Sequence, residues 1–138
     1  MWKYYALLSA FFAAMTAILA KVGISGINSN VATAIRTTVV FFLTWGIVCF
    51  GGQWKNLAEL TWKNLLFLTL SGVATGLSWL CYFKALDLGD VSKVAPIDKL
   101  SVAFVILFSI LFLGEQASIK VIAGGVLILA GSLVILWK

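Results

Sequence analysis

The chain has 138 residues and a net charge of +5, yet 62% of its residues are hydrophobic and only 11% are charged. A soluble domain keeps about a quarter of its residues charged, so a soluble globular protein is excluded and, at a mean hydropathy of +1.09, an integral membrane protein is expected. The positive charge does not point to nucleic acid, because the lysines stand singly at the ends of apolar runs, where membrane anchors are placed.

A helix that crosses roughly 30 Å of hydrocarbon needs about 20 residues. The first predicted span covers residues 3–22 and carries no charge from Tyr4 to Ala20. A cleaved leader would also place a lysine before an apolar run, but this run is long for one and the rest of the chain is itself a membrane bundle. The second span, 29–50, contains Arg36 and Trp45. The segment GGQWKNLAELTWKN leads to the third, 64–84, which holds Gly72, Gly76, Trp79 and Phe83. After KALDLGDVSK comes the fourth, 92–113, with Pro96, Asp98 and Lys99 in its first third. GEQASIK precedes the fifth, 119–137, where Gly124 and Gly131 lie seven apart and so on one helix face. Trp2, Trp54, Trp62 and Trp137 fall at span ends, where amphipathic rings settle. The expected fold is therefore an all-α integral membrane protein of five transmembrane helices in one domain, 1–138, with connections too short for a further domain.

The charges inside the spans are the informative residues, because a charged side chain at the bilayer centre costs roughly 2.5–3.5 kcal/mol on insertion scales. Two readings of Val94–Phe104 compete. In one, the fourth helix begins at Pro96, which suits a first helical position, Asp98 is a first-turn acid and Lys99 snorkels to the headgroups. In the other, the helix begins near Ser92, is kinked or unwound at Pro96, and carries Asp98 and Lys99 on different sides, towards a polar cavity. Arg36 favours the second. It lies seven residues beyond Ser29 and Asp98 six beyond Ser92, depths of about 10 and 9 Å from the same face, so the two are expected to pair. One acid against Arg36 and Lys99 favours an anionic or zwitterionic substrate. Trp79, Phe83 and Trp45 are expected to line the same cavity, Trp79 first, because its indole donor needs a partner at that depth.

Small residues allow helices to approach closely, and the face of Gly124 and Gly131 is the expected seam between two copies of the chain. Five spans put the termini on opposite faces. Lys3, Lys55, Lys63 and Lys120 then fall on one side and Lys21, Lys84, Lys93 and Lys138 on the other. Orientation follows the lysine and arginine bias of short loops, and so even a count allows insertion both ways round. Cys49 and Cys81 lie alone in apolar segments and are expected to be buried small hydrophobes. There is no histidine, phosphate-binding glycine loop or acidic pair at catalytic spacing, so neither an enzyme nor a bound cofactor or metal is expected.

The run from Tyr82 to Gly131 resembles the EamA domain of the drug/metabolite transporter superfamily. The resemblance is carried by Ala85, Leu86, Gly89, Ser92 and Val94–Pro96, by Leu113–Glu115 ending the fourth helix, and by Ile122, Gly124 and Leu127–Gly131 in the fifth. Arg36 matches an arginine often found early in the second helix of such domains. Typical members hold two five-helix units of opposite orientation, and this chain holds one. The resemblance therefore implies an antiparallel homodimer that moves a small metabolite across the cytoplasmic membrane by alternating access, with the lipid bilayer, the solute and a second copy as its partners. The related four-helix multidrug exporters carry an acid in their first span, which this chain lacks. A multidrug or cationic exporter, or a non-transporting membrane subunit, are the alternatives.

Overall fold

A computed structural model describes residues 1–137; Lys138, the last of the eight lysines in the face count, lies outside the described residues. The order is α1 Trp2–Gly23, α2 Ser29–Phe50, a short 3-10 segment Gln53–Glu59, α3 Trp62–Leu88, α4 Val91–Asp98, α5 Ser101–Leu113 and α6 Ile119–Leu136. Taking α4 and α5 as one span, Val91–Leu113, five helices are long and apolar enough to cross a membrane. Among the described residues there is no strand. The chain is an all-helical, multi-pass membrane protein.

Each helix end has a local cause. Asn28 caps α2, its side chain accepting from the Asn30 amide at 2.8 Å, and Ser118 caps α6 by accepting from the Val121 amide. Gly114 ends α5 at φ 67°, a left-handed conformation that only glycine adopts without penalty, and the Glu115 amide then reaches back to the Ser109 carbonyl at 3.2 Å. α3 is the longest helix, beginning at Trp62 and running past residue 84 to Leu88. Its polar C-terminal turn pairs Lys84 with Asp87 at 3.2 Å, a local i,i+3 contact that favours continued helix.

The backbone divides into two compact units, one of Met1–Ala17 with Leu88 onward, the other of Ile18–Asp87. In the first, α6 packs against both α4 and α5. Gly125 and Ser132, seven residues apart, form the buried face of α6. A Cβ on Gly125 would stand 2.6 Å from Ile106 Cδ1, the movable end of a flexible side chain, so the glycine makes room for Ile106 in its present position. In the second unit α2 packs against the 3-10 segment, where the Trp45 and Trp54 rings lie 5.7 Å apart. Leu86 is fully buried, and its carbonyl accepts a hydrogen bond from the Lys21 ammonium, a cation at the C-terminal end of α3 where the helix dipole favours one.

Most large apolar side chains on all five spans are exposed. In water that would be untenable; in lipid, helices need not hide such surface from one another. Cys49 and Cys81 belong to this surface. They are exposed and fill no core, contrary to expectation, because hydrocarbon accepts a small apolar group on the outside of a helix as readily as within.

Candidate functional site

The site begins with periodicity on α2. Ser29, Thr33, Arg36, Thr37 and Val40 recur at three- and four-residue intervals and share a face, and Ser29 and Thr33 on it are buried. Burial of those hydroxyls needs no outside partner: Thr33 Oγ1 donates to the Ser29 carbonyl at 2.9 Å and Thr37 Oγ1 to the Thr33 carbonyl at 2.8 Å. Arg36 is carried on this face and held half-buried.

On α3, Trp79, Phe83 and Leu86 share a face by the same rule, with Phe83 2% and Leu86 0% exposed. The Arg36 guanidinium carbon lies 4.3 Å from the centroid of the Trp79 ring and 5.3 Å from that of Phe83. Both are within the roughly 6 Å over which a ring's negative face attracts a cation. The four-residue interval between Trp79 and Phe83 is what lets one cation lie over two rings. Within its own unit Arg36 makes no ion pair and no side-chain hydrogen bond among the described residues. A stack of this kind is worth roughly 0.5–2 kcal/mol, against roughly 2.5–3.5 kcal/mol for an arginine in a span. The rings offset part of that and leave the N–H donors uncommitted.

Of the residues expected to line one cavity, Arg36, Trp79 and Phe83 lie together. Trp45 stands apart from them: it is nine residues beyond Arg36, about 13 Å along α2, with its ring against Phe41 at 6.2 Å and Trp54 at 5.7 Å.

A groove of about 660 Å³ runs along the same two helices. α2 contributes Asn30, Thr33, Ala34, Thr37, Thr38, Phe41 and Phe42, and α3 contributes Gly76 and Leu80. It is open and mostly apolar, and its size falls within the roughly 300–1,000 Å³ typical of small-molecule sites. Thr33 and Thr37 near Arg36 in sequence, and Gly76 and Leu80 on either side of Trp79, line it, whereas Arg36 and Trp79 do not. This groove was missed from the sequence. The signal that could have found it is the threonine recurrence 33, 37, 38 beside Gly76, a shallow polar-edged face opposite a missing side chain.

In the other unit, α4 begins at Val91, five residues before Pro96, so the reading that starts the fourth helix at the proline is overturned. Asp98 is the last residue of α4 rather than a first-turn acid. The helix does not unwind. Lys99 and Leu100 stay right-handed, and the amides of Lys99 and Leu100 bond three residues back, to Pro96 and Ile97, a local tightening between α4 and α5. Ser132 Oγ on α6 lies 2.9 Å from the Pro96 carbonyl and 2.9 Å from the Ile128 carbonyl, and its single proton is shared between them. Lys99 does not point away from Asp98 as expected: its ammonium is 3.3 Å from the Asp98 carboxylate. Arg36 and Asp98, expected to be each other's partners, thus each have one inside their own unit.

On α6 the residues that pack within the unit are Gly125 and Ser132, one position beyond each of Gly124 and Gly131. Gly131 is exposed, and a Cβ at either Gly124 or Gly131 would meet nothing within 4 Å.

The model of the EamA-like transporter family matches residues 1–137. The chain belongs to that family. It is also similar to an uncharacterized transporter in cobO 3'region from Sinorhizobium sp., 51% identical over 134 residues that cover 97% of this chain and 95% of the relative. No solved structure matches it. This EamA-like protein is a membrane transporter by family, with an arginine caged by aromatic rings in its second span.

Proposed function

We propose that two copies of the chain, inserted in opposite orientations in the cytoplasmic membrane, move a small anionic or zwitterionic metabolite by alternating access. The observation that carries the substrate reading is Arg36: a cation inside a membrane span, held by two ring faces, with donors left for a carboxylate or another anion. Asp98 and Lys99 form a second charged locus within a span, proposed to line the path of the solute. Dimerisation is supported by the single five-helix unit, since inverted repeats in such transporters place their site near the midplane between repeats. It is supported also by the exposed glycine face of α6, where Gly124 and Gly131 leave room for a close neighbour.

The test is solute exchange in liposomes containing only the purified protein, with labelled anionic, zwitterionic and cationic solutes offered in parallel. Saturable movement of anionic or zwitterionic solutes, lost in Arg36→Gln, is expected. Movement of cations alone would overturn the substrate reading, and movement of nothing would overturn transport by this chain without a partner.

A further inference from the structure

In the unit that holds α4, α5 and α6, the first two pack on α6 in different ways. No residue of α4 or α5 is buried, so what distinguishes them is the particular contact each makes. For α5 it is the Ile106 side chain beside the buried Gly125. For α4, among the described residues, it is the hydrogen bond from Ser132 Oγ to the Pro96 carbonyl at 2.9 Å. The joint between α4 and α5 is itself soft. The amides of Lys99, Leu100, Val102 and Ala103 bond three residues back, to Pro96, Ile97, Lys99 and Leu100, at 2.9–3.1 Å. Such 3-10 stretches within a helix have poorer hydrogen-bond geometry and often mark a hinge. Pro96 also has no amide to give to the Ser92 carbonyl, so the ladder is interrupted on the α4 side of the joint.

We infer that α4 is a movable arm, turning about Lys99 and Leu100 while α5 stays on α6, and that Ser132 is its latch. This rests on the transporter reading for its purpose, the passage of a solute, and not for the motion itself. Ser132 is 4% exposed, and its hydroxyl has one proton for two acceptors, the Pro96 and Ile128 carbonyls, each at 2.9 Å. With the arm docked, that proton is shared between α4 and α6. With the arm released it goes wholly to Ile128, a bond that serine commonly makes within its own helix. The Pro96 carbonyl is not stranded either, since it keeps the Lys99 amide at 3.1 Å. Unpaired polar groups are what a membrane interior penalises most, and release of this arm creates none at the latch. Asp98, the last residue of α4, travels with the arm, whereas Lys99 sits in the joint. Their 3.3 Å ion pair lies where the bend occurs, so the motion displaces the charged locus of this span.

The experiment is amide hydrogen exchange of the full protein in liposomes. Residues 128–133 of α6 serve as the reference, because the bond from Ser132 to Pro96 places them at the depth of the arm and its joint. In the unsubstituted protein the amides of α4, Lys99 and Leu100 should exchange at least about tenfold faster than the reference, as a locally opening segment does. Ser132→Ala removes the latch and adds no bulk. It should speed exchange across α4 about two- to tenfold more, the range for one hydrogen bond, and leave α5 at its original rate. Ser132→Cys, which keeps a weak donor, should fall between the two, and with the unsubstituted protein it keeps the test decisive if Ser132→Ala does not fold. Exchange of α4 at the reference rate overturns the proposal. So does a Ser132→Ala protein in which α4 is unchanged, or in which α5 accelerates as much as α4, which would be a general loss of stability. Solute movement is read separately in the same liposomes. An arm that opens in a protein that moves nothing overturns the transport reading and leaves this one standing. Solute movement with α4 exchanging as slowly as the reference does the reverse.

Discussion

Arg36 sits where the bilayer opposes its charge and two rings partly restore it, so the consequence of a substitution depends on which neighbour remains. Trp79→Leu keeps apolar bulk but removes the ring quadrupole, and should lower thermal stability only while the arginine is present. A double-mutant cycle of Arg36→Met and Trp79→Leu is expected to show a coupling of roughly 0.5–2 kcal/mol; zero coupling would mean the rings merely pass near the cation. Asp98 differs. Its carboxylate and the Lys99 ammonium are both partly exposed, at 39% and 55% of their side chains, and a pair that water reaches along the proposed solute path is worth roughly 0–1 kcal/mol. Asp98→Asn should therefore leave the melting temperature nearly unchanged while reducing solute movement in liposomes. Unchanged movement would leave the pair as helix punctuation. At this scale the sequence grouped Arg36 with Trp79 and Phe83, which do lie together, and misplaced Lys99, whose ammonium lies against Asp98. The rings at 79 and 83 announce a shared face through their spacing. The choice of Arg36 for rings and of Lys99 for Asp98 depends on side-chain reach, which spacing does not encode.

The helices were legible because a bilayer imposes a length and forbids unpaired backbone, so apolar runs and their polar ends nearly determine the spans. What the apolar runs do not show is which face of a helix packs within the unit. On α6 the conspicuous pair was Gly124 and Gly131, yet Gly125 and Ser132 are buried within the unit. One residue turns the helix about 100°, and the neighbour's side chain, Ile106, lies against Gly125 and not Gly124. The proline behaved similarly: Pro96 did mark an irregularity, but it appears at Lys99 and Leu100, one turn later, where Ser132 reaches the Pro96 carbonyl. Two predictions separate the faces. Gly125→Leu should lower the melting temperature, since Gly125 is buried and a leucine needs more room than a shift of the flexible Ile106 Cδ1 provides; overpacking costs roughly 1–3 kcal/mol. Gly131→Leu should leave the helical monomer intact and weaken dimerisation, as read by sedimentation in detergent. A fully dimeric Gly131→Leu would move the seam elsewhere, with the Gly72–Gly76 face next.

For the whole molecule the question is how one five-helix unit forms a pathway, and the charge pattern bears on it. The short loops carry the lysines evenly on the two sides, and the acids do not change that count, since Asp87 and Asp90 contribute little to topology even where they pair with Lys84 and Lys93. A chain without a bias should insert both ways, and an antiparallel dimer requires that it do so. Reporter fusions at the C-terminus are expected to reveal both orientations in one preparation, and a single orientation would exclude the antiparallel arrangement. The stronger form uses locked variants. Extra lysines at the N-terminus should fix one orientation, and extra lysines in the loop 51–61, balanced by Lys3→Gln, should leave the same face inside. Extra lysines in the loop 24–28 should fix the opposite one. Each locked variant alone can form only parallel pairs and should move no solute. Co-expressed variants of opposite orientation should restore movement, because each supplies the copy the other lacks. Activity in a single locked variant would mean that one orientation suffices, and the pathway would then have to be built from parallel copies or from one chain.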